Sequence, residues 1–209
     1  SLALAADRTE TIKLGTGVAV SGTRPAAVNA AGIATINALA PGRTFLGVGS
    51  GNTARRIMGM PPQKIAEFDA YLQTLVPLLR GEEAWLKHGD SNIPIRHIMP
   101  EDGFVNFKDP IPLFVSGFGP RSLALAGTYG NGAVLGVSTH SAVRQSLNAV
   151  HEGARTSGRA LAPEDREKTF YNTALTCITV LDPQEPVDSP RVKSECGAMA
   201  MASVHYAYD

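Results

Sequence analysis

The chain has 209 residues, of which 44% are hydrophobic and 18% charged, and its formal net charge is zero. This composition is typical of a globular protein, and the absence of a basic block argues against nucleic acid as a partner. No apolar run reaches the ~18–20 residues that a membrane span needs, and no secretory signal pattern is present. Because Cys177 and Cys196 match no disulfide framework or metal-ligand spacing, we expect reduced thiols in a cytoplasmic protein.

Both ends of the chain predict a fragment. The chain opens without a methionine on SLALAADRTET, which is typical of the tail of a helix. It stops inside the amphipathic segment VHYAYD with neither a capping residue nor a glycine. We therefore expect these residues to be one piece of a longer protein.

Strand and helix patterns alternate along the sequence. We expect strands at Ile12–Val20, Thr44–Val48, Ile111–Val115, Gly132–Val137 and about Thr169–Leu181. The strands are nearly unbroken apolar runs with no tight two-residue hairpin, which predicts a parallel sheet buried on both faces. Residues 82–110 fit neither period, and we expect an irregular excursion, with room for a short hairpin, between the second and third strands.

The helices are predicted from apolar residues at three- and four-residue steps. The first begins at Pro25 and ends at Pro41–Gly42; Pro77 should kink or shorten the last turn of the second. A third covers Arg121–Gly127, and a fourth has Ser141 as its N-cap and closes at Gly158. The remaining apolar positions form two stripes, Ile65, Phe68, Leu72, Leu75 and Leu79 in the second helix and Val192, Cys196, Met199 and Tyr206 in the last.

Two strands end in glycine clusters that lead into helices. The first is TFLGVGSGNTARR, with Gly47, Gly49 and Gly51, and the second is IPLFVSGFGPRSLALAG, with Gly117 and Gly119. Such turns let backbone N–H groups approach an anion at the start of a helix. Two of them in series predict a parallel α/β protein that holds a phosphate-bearing ligand. The pair Arg55–Arg56 is interpreted as part of a solvated face.

The same segments, in the same order, resemble the luciferase-like superfamily of flavin-dependent monooxygenases and F420-dependent reductases. The resemblance is carried by IKLGTGVAV, by TRPAAVNAAGIATINALAPGRTFLGVGSGN, by PLLRGEEAW and by PIPLFVSGFGPRSLALAGTYGNGAVLG, and it covers roughly residues 10–137. It implies an α/β fold of the eight-stranded (β/α) TIM-barrel type, present here only from about the third to the seventh strand. The whole of 1–209 would be one partial barrel domain, with 82–110 as the family's excursion. Because an incomplete barrel leaves open sheet edges, we expect this piece alone to be poorly soluble or poorly folded.

The resemblance also implies a cofactor, FMN or alternatively coenzyme F420, at the carboxyl ends of the strands. The residues expected to hold it lie at four strand ends: Gly17 and Val18; Gly49, Ser50, Gly51 and Asn52; Ser116, Gly117, Phe118, Gly119, Pro120 and Arg121; Gly136, Val137, Ser138 and Thr139. At Gly17–Val18 the family often has a non-prolyl cis peptide with a bulge behind the flavin ring; an ordinary turn glycine is the alternative. Turns without a ligand are the alternative at the other glycines.

Substrate-side candidates are weaker. Arg24 is placed near the mouth of the site by the resemblance. His140 is a candidate proton donor, but a loop histidine without an assignable partner is more often only a polar surface residue. His88, His97, His151 and His205 have weaker claims. Since much of the family's substrate chemistry comes from strands absent here, the catalytic residues stay unassigned, and no metal ligand set is expected.

Several functions remain open from the sequence. The first is a monooxygenase that uses reduced FMN, supplied by a partner reductase, and O2 on a small organic substrate. The second is an F420-dependent reductase or dehydrogenase of the methylenetetrahydromethanopterin reductase type. A non-catalytic barrel subunit is the third, and a homo-oligomer is expected for the full-length protein. An NAD enzyme would need an acidic residue after a second strand, whereas Glu67 and Asp69 fall within a predicted helix.

Overall fold

The computed structural model describes residues 1–136, 139–161, 170–175 and 177–207, with only the backbone described for 202–207. Helices and strands alternate along the chain, and two short 3₁₀ turns lie at Ser21–Thr23 and Pro100–Asp102. The helices are α1 Leu2–Arg8, α2 Ala26–Leu39, α3 Asn52–Ile57, α4 Ile65–Leu78, α5 Pro120–Tyr129, α6 His140–Thr156 and α7 Pro190–Ala207. The strands are β1 Leu14–Gly15, β2 Ala19–Val20, β3 Thr44–Gly49, β4 Ala84–His88, β5 Ser91–Ile95, β6 Leu113–Gly117, β7 Gly132–Leu135 and β8 Tyr171–Ala174.

Six strands form one parallel sheet in the order β1–β3–β6–β7–β8, with β2 also paired to β3. β1 and β2 both pair with β3, and from β3 onward each strand lies beside the preceding strand of the same sheet; the hairpin β4–β5 forms a separate sheet. A doubly wound nucleotide-binding sheet would reverse this order at a switch point. Right-handed crossovers that always advance in one direction place the helices on one face, which is the winding of a (β/α) barrel. The sheet is therefore an incomplete barrel, as expected.

The hydrophobic core lies between the sheet and its helices. Alternate residues of β3 and β6, among them Leu46, Val48 and Val115, are at most 1% exposed. Opposite them, α4 contributes a fully buried stripe whose spacing follows the helical period, namely Phe68, Leu72, Leu75 and Leu78. Burying one such side chain stabilises the fold by about 1.5–3 kcal/mol relative to exposure. Phe68, Leu72 and Leu75 of the predicted stripe thus form the inner face of that helix. Ile65 is only half-buried, Leu79 lies just beyond the last residue of α4, and the fully buried Leu78 was not predicted.

An aromatic row crosses the opposite face of the sheet. The Phe45 and Phe114 rings stack with centroids 5.0 Å apart, and Phe114 stacks on Tyr171 at 5.7 Å. Gly132 of β7 pairs with both Phe114 and Tyr171 in the register. Because Gly132 has no side chain, these two rings meet across the strand that separates them. The row lies in the half of the sheet nearer the strand starts.

One buried side-chain amide, that of Asn37, holds the end of the excursion against the sheet. Asn37, at the end of α2, is fully buried, and its side-chain nitrogen donates to the carbonyl oxygens of Asn106 and Asp109, both at 2.9 Å. Its side-chain oxygen accepts from the Thr44 hydroxyl at 2.8 Å and from the Gly42 amide at 3.2 Å. Asn37 therefore joins the end of α2, the start of β3 and the last residues of the excursion.

The excursion also contains the hairpin for which the sequence left room. β4 and β5 pair antiparallel, with His88 opposite Ser91, so the loop is the two-residue turn Gly89–Asp90. Gly89 has a positive φ of 60°, as such turns require. The expectation that the chain has no tight two-residue hairpin is therefore wrong for this segment, because the hairpin lies outside the parallel sheet.

Three strand predictions need correction. Ile12–Val20 is two short strands, β1 and β2, because residues 16–18 leave the sheet as a bulge. The strand predicted at Ile111–Val115 is β6, which begins and ends two residues later, at Leu113 and Gly117. It cannot begin at Pro112, because proline has no N–H to donate within the sheet. Leu113 is the first strand residue, and its N–H donates to the Asn131 side-chain oxygen at 3.0 Å. β8 ends at Ala174, well before Leu181, since among the described residues of this segment the register with β7 runs from Tyr171 to Ala174.

The helix boundaries also differ in detail from the sequence predictions. Thr139, rather than Ser141, caps α6: its hydroxyl accepts the Ala142 N–H at 3.3 Å. α5 extends from Pro120 to Tyr129, beyond Arg121–Gly127 at both ends, and Pro77 falls in the last turn of α4, which ends at Leu78. Thr169 and Val137, which were predicted as strand residues, lie outside the described part of the chain. None of the described helices combines the length and the apolar character needed to cross a bilayer.

Candidate functional site

The carboxyl ends of the parallel strands lie on one edge of the sheet. In the register, Val20 of β2 pairs with Gly49 of β3, and Gly49 pairs with Ser116 of β6. The series continues from Gly117 to Leu135 of β7. The two glycine turns predicted to share a ligand, 47–52 and 116–121, therefore lie side by side at the same edge.

A bulge at residues 16–18 crosses the exit of β3. The Gly17–Val18 peptide bond is cis, as is frequent in the family that the sequence resembles. The Thr16 hydroxyl donates to the Gly47 carbonyl oxygen at 2.6 Å. A Cβ atom on Gly17 would meet nothing within 4 Å, so this glycine borders open space.

This bulge explains two glycines of the first cluster. A Cβ atom on Gly47 would collide with the Thr16 carbonyl oxygen, and one on Gly49 would lie 3.1 Å from Val18 Cγ2 and 3.2 Å from Ser116 Cβ. Contact with the neighbouring segment is therefore a sufficient reason for glycine at positions 47 and 49, beside the ligand approach that the sequence predicts. These glycines make room for the neighbouring chain segment, which itself forms part of the site.

The end of this turn contains a buried acceptor. Gly51 has a positive φ of 65° and leads into α3, whose first residue is Asn52. The side-chain oxygen Oδ1 of Asn52 is buried and has no hydrogen-bond partner anywhere in the described part of the chain. A buried acceptor without a donor costs about 1–3 kcal/mol, so a ligand that donated a hydrogen bond here would recover that cost. The residues at this edge therefore fit a polar ligand.

Three side chains that the sequence analysis did not select join the segments around this turn. The Ser21 hydroxyl lies 3.0 Å from the Gly49 carbonyl oxygen and 2.5 Å from the Gln63 side-chain oxygen. Arg55 donates from Nη1 to the Gly22 carbonyl oxygen at 3.0 Å and from Nε to that of Pro61 at 2.7 Å. Arg55 is 8% exposed, so the interpretation of Arg55–Arg56 as a solvated face is wrong for Arg55. No local sequence signal marks these contacts, since they depend on the fold.

The exit of β6 leads directly into α5. Gly117 is a glycine for steric reasons, because a Cβ atom there would lie 2.6 Å from Ser122 Oγ. Gly119 is the N-cap residue and Pro120 the first residue of the helix, so the N-cap position has no side chain that could cap the first-turn amides. A Cβ atom on Gly119 would meet nothing within 4 Å, and Arg121 is exposed beside it. Free amides, open space and a cation together form a site that suits a phosphate group.

The carboxyl end of β7 contributes fewer residues to the candidate site than the sequence predicts. The Phe118 ring lies against Gly136, where a side chain would otherwise begin. The Thr139 hydroxyl is occupied as the cap of α6, and His140 is the exposed first residue of that helix. Val137 and Ser138 lie outside the described residues. The structure thus brings Phe118 and Gly136 together at this edge.

The remaining candidates lie elsewhere or have structural partners. Arg24 is exposed and borders a 210 Å³ cavity that runs along α2. His97 Nε2 lies 3.0 Å from the Leu78 carbonyl oxygen, and its ring packs on Phe107 with centroids 4.6 Å apart. His88 belongs to β4 and His151 to α6, while the side chain of His205 is outside the description. Within the described ranges, no cluster of three or more His, Cys, Asp or Glu residues could hold a metal ion.

The acidic residues considered for an NAD site also have structural roles. Glu67 and Asp69 lie inside α4, as predicted. The Glu67 carboxylate accepts the Lys64 amide at 3.2 Å, and Asp69 accepts from the Tyr129 hydroxyl at 2.6 Å. Neither residue follows a strand of the sheet, so neither has the position that ribose recognition requires.

Curated relatives are similar over most of this chain. The 5,10-methylenetetrahydromethanopterin reductase of Methanolobus tindarius is 27% identical over 166 residues, which are 76% of this chain and 48% of the relative. The F420-dependent glucose-6-phosphate dehydrogenase of Beutenbergia cavernae is 33% identical over 175 residues, which are 78% of this chain and 50% of the relative. The chain thus spans about half the length of the curated relatives it matches.

Solved structures show the same fold. The coenzyme F420-dependent tetrahydromethanopterin reductase from Methanopyrus kandleri is 26% identical, with a TM-score of 0.62 over 84% of this chain and 53% of that one. The monooxygenase RslO1 from Streptomyces bottropensis superposes with a TM-score of 0.71 over 97% of this chain and 61% of that one, at 20% identity. The model of the luciferase-like monooxygenase family matches residues 1–186. The chain belongs to the luciferase-like monooxygenase family.

Proposed function

We propose that this chain supplies the cofactor-holding part of an oxidoreductase that transfers hydride with the deazaflavin coenzyme F420. The observation that carries the proposal is the shared edge: Gly49 of β3 pairs with Ser116 of β6, which sets the two glycine turns beside each other. Relatives of 33% identity are F420-dependent dehydrogenases, which favours this cofactor.

The residues at this edge suit the two ends of such a cofactor. The bulge at Gly17–Val18 and the turn Gly49–Asn52 would bind the ring system, with the Asn52 oxygen as a hydrogen-bond acceptor. The free amides of α5 and the Arg121 guanidinium would bind the phosphate. Gly17 and Gly119 border open space, which lets a ligand approach the backbone closely.

The chemistry divides between the cofactor and the protein. F420, when bound, supplies a carbon centre that accepts or gives a hydride, and the substrate is a small organic molecule. This chain's residues would fix the plane of the ring and anchor the phosphate. The groups that handle the substrate's proton are not assigned to any described residue.

FMN-dependent monooxygenation is the second candidate. The family model describes monooxygenases, and FMN also carries a phosphate that the α5 site would accept. The non-catalytic subunit remains the third hypothesis. Retention of either cofactor would argue against it, because a subunit without chemistry has no need of a cofactor site.

The test is a binding titration of the chain with F420 and, separately, with FMN. We expect F420 to bind about tenfold more tightly, a difference of about 1.4 kcal/mol. Arg121→Gln should weaken the binding of F420 by about fivefold or more, since it removes the cation beside the phosphate. Arg96→Gln is the matched control, because Arg96 is also exposed but lies on the excursion after β5.

Each outcome decides between the candidates. Tighter binding of FMN, with oxygen consumed in turnover, would replace the proposal by the monooxygenase. Failure of both cofactors to bind at millimolar concentration would overturn the cofactor site itself. Equal losses in Arg121→Gln and Arg96→Gln would show that the charge acts at long range and not at the α5 turn.

A further inference from the structure

The two cysteines of the chain lie next to each other. Cys177 follows β8, and its Sγ donates to the Glu195 carbonyl oxygen of α7 at 3.2 Å. Cys196, the next residue of that helix, has its Sγ 2.9 Å from the Thr179 hydroxyl. Each thiol thus contacts the segment that carries the other cysteine, which places Cys177 and Cys196 on facing parts of the fold. The sequence spacing did not predict this proximity, which results from the return of α7 onto the segment after β8.

An ionic cluster holds these two segments together. The Arg191 guanidinium, in the first turn of α7, donates to the Val180 carbonyl oxygen at 3.0 Å and binds the Glu185 carboxylate. Its Nη1 lies 3.4 Å from the Glu195 carboxylate. Glu185 accepts in addition from the Ser189 hydroxyl at 2.7 Å. Because the cluster fixes both sides of the connecting loop, the two thiols stay adjacent in the folded chain.

We propose that Cys177 and Cys196 form a reversible intramolecular disulfide and are a site of thiol oxidation in this protein. Both thiols are free in the structure, with Cys177 exposed and Cys196 partly covered. The exposed thiol meets an oxidant in solution, and its neighbour lies within reach to resolve the product. The inference does not depend on which cofactor the chain binds.

The oxidant we name is a hydroperoxide, and the reaction balances in two steps. The Cys177 thiolate attacks one peroxide oxygen, the O–O bond breaks, and a sulfenic acid forms while hydroxide leaves. The Cys196 sulfur then attacks the Cys177 sulfur, the S–O bond breaks, and water leaves as the S–S bond forms. Two electrons pass from the two sulfurs to the peroxide, and a dithiol reverses the change by exchange.

The surroundings of Cys177 set the pH dependence of the first step. The hydrogen bond with Cys196 and, to a smaller extent, burial and the charges of Cys196 and Glu195 raise the pKa of Cys177. Since the thiolate is the nucleophile, a raised pKa makes oxidation slow at neutral pH and faster as pH increases.

A disulfide between Cys177 and Cys196 would link the oxidation state of these thiols to the carboxyl edge of the sheet, where the candidate cofactor-binding residues lie. β8 ends at Ala174, which pairs with Leu135 at the carboxyl edge of the sheet. Cys177 lies three residues further on, so a bond to Cys196 would link that exit covalently to α7. Oxidation would thus restrict the loop that follows β8.

The experiment exposes the 209-residue chain to hydrogen peroxide and measures its intact mass with and without thiol alkylation. We expect a monomer that has lost two hydrogens and resists alkylation, restored by dithiothreitol. The same oxidation in urea with dimedone present should lower the ratio of disulfide to trapped Cys177 sulfenic acid by about tenfold or more, because unfolding removes the proximity of Cys196 that resolves the sulfenic acid. This ratio, compared between buffer and urea, is the decisive number.

Two variants act as controls. Cys196→Ser should accumulate the Cys177 sulfenic acid or its higher oxides, and Cys177→Ser should remain reduced for longer. Arg191→Gln loosens the ionic cluster without touching a thiol, so it should also lower the ratio of disulfide to trapped sulfenic acid while both cysteines remain present. Equal ratios in urea and in buffer, or oxidation that yields mainly disulfide-linked dimers, would overturn the proposal.

Discussion

The carbonyl oxygen of Thr16 lies where a side chain on Gly47 would begin, and the Thr16 hydroxyl donates to the Gly47 carbonyl oxygen at 2.6 Å. The bulge at residues 16–18 and the exit of β3 are thereby fitted to each other at van der Waals distance. The glycine at 47 is required by this contact, which is why the candidate cofactor edge is preformed by the protein itself. A change at either residue should affect both segments.

Gly47→Ala should destabilise the fold by about 1–3 kcal/mol, because the added methyl group collides with the Thr16 backbone, which cannot rotate away as a side chain could. Urea denaturation measures the loss. Gly119→Ala is the control: nothing lies within 4 Å of the added atom, so its stability should change by less than about 1 kcal/mol. Equal losses in the two variants would show that the bulge yields to the methyl group.

Asn52→Ala should lower the affinity for the cofactor while leaving the unliganded chain equally stable or slightly more stable. The buried Oδ1 atom has no hydrogen-bond partner in the described part of the chain, so the folded state loses the hydration of this atom without gaining a hydrogen bond. Removing the atom removes this destabilising contribution. We expect a loss of affinity of about tenfold, for one hydrogen bond. Thermal melting and ligand titration together check it, and a large drop in melting temperature without ligand would contradict it.

Asn37→Ala should destabilise the chain by about 2–4 kcal/mol, since it removes four hydrogen bonds from a fully buried side chain and leaves their partners unsatisfied. Thr44→Val removes one of these four and should cost about 0.5–1.5 kcal/mol. Denaturant midpoints of the two variants give the comparison. If Asn37→Ala costs no more than Thr44→Val, the amide does not hold the excursion.

The stability of the chain should fall as the pH increases from about 10 to about 12. Burial, followed by the hydrogen bond to the Asp69 carboxylate, raises the pKa of Tyr129 from 10.0 to about 12. Between these values the unfolded chain releases the tyrosine proton and the folded chain keeps it, so unfolding becomes more favourable. Below pH 10 both states are protonated and the contribution is complete.

Tyr129→Phe checks this pH dependence, because it removes the titrating hydroxyl while it keeps the ring. Its urea midpoint should fall less steeply across this interval than that of the unmodified chain. Burial also raises the pKa of Tyr71, so part of the slope should remain in the variant. An unchanged slope in Tyr129→Phe would show that Tyr129 does not titrate with a shifted pKa.

Hydrophobic periodicity and helix-capping rules correctly predicted the helices and strands in which all the local sequence signals agree. α2 and β3 were found near their predicted limits, because apolar spacing, Pro25 and the Pro41–Gly42 stop all agree there. The incomplete barrel was predicted through the resemblance and is confirmed by the strand order. Local and tertiary preferences coincide in these segments, so the sequence is sufficient.

Local sequence patterns could not predict the features that depend on residues far apart in the chain. The continuous apolar run Ile12–Val20 hides a bulge that depends on Gly47, which lies thirty positions away from Gly17. Arg55 was interpreted as a surface cation, but it is buried and donates hydrogen bonds to the carbonyl oxygens of Gly22 and Pro61. The proximity of Cys177 and Cys196 depends likewise on the ionic contacts of Arg191. Such partners meet only after folding.

The order of strands in the sheet also bears on synthesis. Because each parallel strand after β3 pairs with the one translated before it, a growing chain on the ribosome already carries the template for its next strand. β6 can join β3 once the hairpin has emerged, and β7 and β8 follow in turn. From β3 onward each strand of the sheet therefore finds a partner that is already synthesised, whereas β1 and β2 pair only once β3 has been made.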